Sequence, residues 1–272
     1  MAFTPFDFNE AIAQRRDHAL EGLRHGSPVV GLSLDAGLVL LTVRRTQRKI
    51  YEIYDRLIYS AIGNQSDIEA VRLGAVDLAA REGFERSPDD VTAQRLVGFS
   101  LSPALKEVFR DQWRAPSVIR AIFGELGPKP EDDVFFVLNY DGEFSQHAGA
   151  AAIAGTHEAE ERMLNHLRKF MDRLGATPPG VGSDALLTSA LAEALRAWAV
   201  GLIALREQPD REEDEAAEDP ALVVAALKEE LATGRVEAGI LDRATKREAK
   251  FAMVAPGVLA RATDLAMNAE DA

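Results

Sequence analysis

Residues 48 to 67 restrict the fold of this chain more than any other stretch. Ile50, Ile53, Leu57, Ile58, Ala61 and Ile62 are interrupted by Asp55-Arg56, a pattern of two short strands joined by a tight polar turn. Gly63 permits a sharp exit from the second strand. Ser66 is placed to cap a helix, with Glu69 at the spacing at which cap and glutamate satisfy each other's exposed backbone N–H groups. The apolar face of that helix continues through Ile68, Val71, Ala75 and Leu78. A strand pair that hands over directly to an amphipathic helix commits the chain to a mixed α and β architecture.

The flanks supply the remaining elements. Residues 1 to 6 show little periodicity and read as a tail, whereas residues 7 to 24 carry Phe8, Ile12, Ala19, Leu20 and Leu23 as the stripe of an amphipathic helix that Gly26 ends. Residues 29 to 43 form two largely buried strands around the Asp35-Ala36-Gly37 turn. After the helix of residues 66 to 83, Ser87-Pro88-Asp89-Asp90 starts another. It is expected to run to Trp113 with a break near Ser102-Pro103, because proline disfavours the helical conformation of the residue before it. Residues 118 to 124 and 133 to 140 read as strands, residues 127 to 132 as a loop, and Asp141-Gly142 as a turn into a strand over residues 143 to 153.

Residues 156 to 174 and 183 to 205 have helical periodicity around a break at Pro178-Pro179-Gly180. Between Gln208 and Asp219 acidic residues far outnumber Arg211, a composition that cannot bury enough apolar surface to order itself. A short helix over residues 222 to 231, a hairpin of residues 236 to 241 and 250 to 254, and a helix over residues 257 to 267 follow. Bottom-up, these elements amount to an α+β fold.

Composition removes several classes of function. With no cysteine the chain has neither disulfides nor thiolate metal ligands, and a cytoplasmic setting is expected. No leader pattern and no run approaching the roughly 20 apolar residues of a membrane span are visible, so the chain is expected to be soluble and unexported. A net charge of −13 disfavours nucleic-acid partners. His18, His25, His147, His157 and His166 show no metal-ligand spacing. His157-Glu158 with Glu160 and Glu161 reads as a charged first helical turn, and Gly180-Val181-Gly182 lacks the rest of a nucleotide fingerprint. No metal and no cofactor is expected.

The order of a lysine heading a strand, a polar turn, an apolar strand ending in Gly63 and a long helix resembles the proteasome α subunit, particularly its bacterial branch. The N-terminal helix leading into Gly26-Ser27-Pro28-Val29-Val30, the strand and hairpin at Val134 to Gly142, and the late strand at Val236 to Arg243 resemble the same family in the same order. The likeness covers roughly residues 5 to 262. It implies a single α-type domain over residues 1 to 272, with an acidic insertion at about 206 to 220 and an extra helix at about 221 to 233. The implied fold is a four-layer αββα sandwich preceded by an additional N-terminal helix.

By the same resemblance the chain would be a non-catalytic ring subunit of a proteasome-like core particle. It would form a homo-oligomeric, heptameric ring, template catalytic β-type subunits, gate substrate entry, and dock an ATPase or other activator by that partner's C-terminus. Lys49 matches the lysine that pairs with the activator's terminal carboxylate, and Gly26 and Gly63 would line the same pocket. The short N-terminal tail lacks the Tyr-Asp-Arg gating motif of archaeal and eukaryotic relatives.

Ser27 matches the position of the processed nucleophile in the related β subunits, so a self-processed N-terminal nucleophile hydrolase is the alternative. Pro28 constrains that site, and Val43 stands where those hydrolases place an acid. A free-standing oligomeric scaffold is a third reading.

Overall fold

Strands buried on both faces explain why the apolar runs of this sequence do not alternate with polar residues. The computed structural model describes residues 5–175, 183–206 and 219–268, without the side chains of 5–8, 175 and 183. The Pro178-Pro179-Gly180 break and the acidic stretch as far as Glu218 lie outside the described residues. Helix α1 (Pro5–Leu23) precedes strands β1 (Val29–Leu34), β2 (Gly37–Arg44), β3 (Tyr51–Tyr54) and β4 (Leu57–Gly63). Then come α2 (Gln65–Glu85), α3 (Ser102–Arg110), β5 (Ile119–Glu125), β6 (Val134–Asn139), β7 (Phe144–His147) and β8 (Ala150–Ile153). The chain continues through α4 (His157–Gly175), α5 (Ser183–Arg206), α6 (Pro220–Leu231), β9 (Arg235–Asp242), β10 (Phe251–Met253) and α7 (Pro256–Met267).

The strands form two five-stranded antiparallel sheets, ordered β10-β9-β2-β1-β8 and β3-β4-β5-β6-β7. Alternate residues of each strand serve different layers. Val30, Leu32, Leu34, Val39, Leu41 and Val43 pack with α4, α5, α6 and α7. Val29, Leu38 and Leu40 meet Ile58, Ile62, Ile122, Phe135 and Val137 of the second sheet. On that sheet's far face, Tyr59, Phe123, Phe136 and Leu138 pack with α2 and α3. The architecture is therefore an α+β, four-layer αββα sandwich with an additional N-terminal helix. At roughly 1.5–3 kcal/mol for each fully buried aliphatic or aromatic side chain, these three apolar layers hold the fold far more than any single polar contact does.

Helix α1 closes one end of the inter-sheet core with Ala19 and Leu23. Its Arg15 donates to the carbonyl oxygens of Val108, Phe109 and Arg114 at 3.0, 2.9 and 2.6 Å, satisfying the end of α3. Leu20, expected on the apolar stripe, is exposed.

Three further expectations need correction. Helix α2 is capped by Asn64, whose side chain accepts from the Ser66 N–H, while Glu69 pairs with Arg72 at 2.7 Å. Ser66 is therefore inside the helix rather than at its cap. The helix expected from residue 89 to Trp113 is a 3₁₀ turn at Pro88–Asp90, then a π-helical turn at Arg95–Leu101 running into α3, which stops at Arg110. Pro103 causes no break there, because the widened turn, in which the Ser102 N–H donates to the Val97 carbonyl, relieves the crowding that proline creates in a regular helix. The single strand expected over residues 143 to 153 is two strands in different sheets, with Gly149 (φ +74°) at the crossover. Glu160 stands in the first turn of α4, as expected, and is buried there; its carboxylate accepts from the Ala154 N–H at 2.9 Å and from Arg120 at 2.6 Å.

Helix α5 is also an exception to the expectation that no segment approaches membrane-spanning length. Among the described residues it is the one helix long and apolar enough for that. Its residues 190–200 are buried without interruption, with the charged pair Glu193–Arg196 at 2.8 Å among otherwise apolar side chains, as befits a helix that lies within a core.

Candidate functional site

Glu237 of β9 organises the segment that carries Lys49. Its Oε1 accepts the backbone N–H groups of Lys49 and Ile50 at 3.1 and 2.9 Å. Arg44 Nε lies 2.6 Å from Oε2 as an ion-pair contact outside hydrogen-bond alignment. So anchored, Lys49 turns its Nζ toward Ser27, donating to that residue's carbonyl oxygen at 2.6 Å and to Thr42 Oγ1 at 3.4 Å. Thr42 in turn donates to the Pro28 carbonyl at 2.7 Å. Burial of the ammonium lowers its pKa to about 7, with the Glu237 carboxylate opposing the shift.

Gly63 and Gly26 shape the opposite wall. Gly63 has φ +124°, and a Cβ there would collide with the Val118 carbonyl, which accepts the Asn64 N–H at 2.8 Å. Only glycine makes this exit from β4 without strain. At Gly26 a Cβ would stand 2.8 Å from that of Ile62, so the absence of a side chain lets the chain pass close over β4.

Lys49, Gly26, Gly63 and Ser27 line one open cavity of about 550 Å³. Trp198, Leu202 and Leu205 of α5 form an apolar wall, and Arg24, Arg44, Arg45, Arg48 and Arg206 also contribute to the lining. Six cations therefore line this cavity against one acid, Glu230, in a chain whose net charge is −13. The local field is inverted relative to the whole molecule, which suits the cavity to an anion with an apolar neighbour. A second open cavity, lined by His18, Glu21, Gly22, His25, Asn64 and Val118, adjoins it at Gly63.

The Ser27 hydroxyl donates to the Val43 carbonyl at 2.6 Å and accepts from Trp198 Nε1 at 3.2 Å. Lys49 bonds the carbonyl of Ser27 and not its hydroxyl. The hydroxyl proton thus rests on a main-chain oxygen, which cannot act as a general base. Among the described residues no group of three His, Asp or Glu side chains is arranged to hold a metal ion.

Sequence reasoning missed Glu237, Trp198, Leu202, Leu205 and Arg206. An acid flanked by Val236 and Ala238 in an apolar strand was a usable signal for Glu237, since a buried carboxylate needs donors. Trp198 and Ser27 lie 171 residues apart, and nothing in either neighbourhood announces their contact.

No family model matches the chain. Curated relatives do. Proteasome subunit alpha of Streptomyces coelicolor is 28% identical over 262 residues, spanning 95% of this chain and 89% of that protein. Proteasome subunit alpha of Streptomyces griseus is 28% identical over 265 residues, 96% of this chain and 85% of the relative. Proteasome subunit alpha of Xylanimonas cellulosilytica is 30% identical over 193 residues, covering 68% of this chain and 78% of the relative. With the sandwich, the helix across its end and this breadth of identity taken together, the chain belongs to the proteasome α-subunit family.

Proposed function

We propose that this chain is a non-catalytic α-type subunit of a proteasome core particle. In this reading it forms a homo-oligomeric, heptameric ring, templates catalytic β-type subunits, gates substrate entry and docks an ATPase or other activator. Lys49, Gly26 and Gly63 receive the activator's C-terminus. The observation that carries the docking role is the convergence of these three residues on one cation-lined cavity, with the Lys49 ammonium held by neutral acceptors. A chain terminus presents one compact anion, and a single ammonium is its natural counterpart. An apolar side chain next to that terminus has the part-exposed Leu202 and Leu205, backed by buried Trp198, to rest on.

The bonding of the Ser27 hydroxyl supports the non-catalytic reading over the hydrolase alternative. The test is Lys49→Ala in particles reconstituted with β-type subunits and assayed with an activator's C-terminal peptide. The expected result is loss of stimulated hydrolysis, with sedimentation and unstimulated small-peptide cleavage unchanged. Equal stimulation of both particles would remove Lys49 from docking. Purification of the chain with Ser27 at its N-terminus would instead establish the hydrolase.

A further inference from the structure

The six cations of the pocket are not equivalent. Arg44 meets Glu237 at 2.6 Å, Arg45 meets Glu230 at 3.5 Å, and Arg24 meets Glu21 at 3.8 Å. Arg206 meets Glu229 and Glu230 at 2.8 and 2.6 Å. Arg48 and Lys49, neighbours in sequence, have no carboxylate in ion-pair contact among the described residues; Glu52 and Glu237 act on them only at longer range. Lys49 is committed to the terminal carboxylate in the reading above; Arg48 is unassigned.

Arg48 is also held in place. Its guanidinium carbon lies 5.3 Å from the Tyr51 ring centroid and 5.5 Å from that of Phe251. Its Nε donates to the Ile50 carbonyl at 2.7 Å and its Nη2 to Met253 Sδ at 3.3 Å. Nη1 has no acceptor among the described residues. An arginine stacked between rings and tied to the main chain has already lost most of its rotamer freedom, so a ligand that meets it does not bear that ordering cost. A guanidinium fork takes a planar carboxylate, where the Lys49 ammonium takes a point-like one.

We propose that Arg48 makes the pocket selective for a docking tail bearing a second carboxylate, an Asp or Glu side chain upstream of its free C-terminus. This rests on the tail-docking reading. Because Glu21, Glu229, Glu230 and Glu237 occupy the other four cations, an upstream acid finds its open partner in Arg48.

The test uses the full-length chain and synthetic peptides ending in a free carboxylate, identical except for an upstream Glu or Gln, with a C-terminally amidated version as control. Fluorescence anisotropy at low salt should give the Glu peptide about fivefold tighter binding than the Gln peptide, the scale of one exposed ion pair. That preference should vanish near 1 M salt. Arg48→Met should equalise the two free-acid peptides without abolishing either, whereas Lys49→Met should weaken both together. Arg48→Lys, which keeps the charge but not the stack, should retain only part of the preference. The salt series on the unaltered protein stands even if a variant misfolds. Equal binding of the Glu and Gln peptides to the unaltered protein would overturn the role of Arg48 and leave tail docking standing. Amidated and free-acid peptides binding alike, or no binding at all, would overturn the docking reading and this inference with it.

Discussion

The two ends of the first sheet treat a buried cation in opposite ways. At the turn end, Arg243 gives Asp133 two bonds, at 2.7 and 3.2 Å, and also reaches the carbonyls of Leu34, Asp35 and Gly127. Asp133, fully buried, takes further bonds from Ser33 at 2.6 Å and from the Gly127 N–H at 2.8 Å. At the pocket end, Lys49 has only a carbonyl and a hydroxyl, and its one nearby acid spends an oxygen on backbone N–H groups. The first cation is neutralised within the fold and is structural. The second is left short of a counter-charge next to an open cavity, and such an arrangement makes sense when the missing anion arrives from outside.

This contrast can be broken most forcefully at Asp133. Asp133→Ala leaves the guanidinium of Arg243 without its carboxylate, and the loss expected is on the order of 3–5 kcal/mol in chemical denaturation. A change below about 1 kcal/mol would mean that water reaches the site and that the two ends do not differ as argued.

Lys49 should respond in the other direction. Folding lowers the pKa of its ammonium from 10.5 to about 7, so between those values the unfolded chain binds more protons than the folded one. The native protein should therefore gain stability relative to Lys49→Met as pH rises through that window. Below pH 7 the substitution should be neutral or stabilising, because the protein then carries the full desolvation cost of the charge. Binding of a free-carboxylate peptide should follow the opposite course, weakening toward about tenfold per pH unit above the midpoint. Denaturation curves and peptide titrations on one pH series check both, and parallel rather than opposed trends would refute the assignment.

The smallest effect is expected at Ser27. Ser27→Ala removes the hydrogen bonds to Val43 and from Trp198 but leaves the carbonyl that Lys49 uses. A stability loss of about 1 kcal/mol with unchanged peptide binding and unchanged particle activity is expected. Activity abolished by this substitution would return Ser27 to the role of nucleophile.

Much of this layout was legible in the sequence because buried strands and amphipathic helices write their pattern locally. The runs at Leu38 to Leu41 and Ile58 to Ile62, the exit at Gly63 and the lysine ahead of β3 all stand where the pattern put them. What failed depended on distant partners or on competing local solutions. Asn64 and Ser66 are both competent caps, and Asn64 wins as its N–H is already tied to Val118. Pro103 would break the interior of a regular helix but not the first turn of α3, which follows a π-helical turn, and residue type alone does not announce that wider turn. The apolar wall at Trp198, Leu202 and Leu205 looked like ordinary core, since periodicity reports that a face is buried without saying what it is buried against.

The crossover at Gly149 has a kinetic meaning as well. It hands the chain from the edge of one sheet to the edge of the other within the two residues between His147 and Ala150. Once β6 and β7 have paired, β8 is therefore delivered to its neighbourhood at almost no loop-closure cost. The partner it must find is another matter: β8 pairs with β1, bringing Val29 to Ile153 across most of the chain's first half. A sandwich whose seam is this local and whose closure is this remote belongs with slowly folding, high-contact-order domains. Its exposed sheet edge must wait for the N-terminal hairpin, the interval in which such a chain is most open to wrong partners.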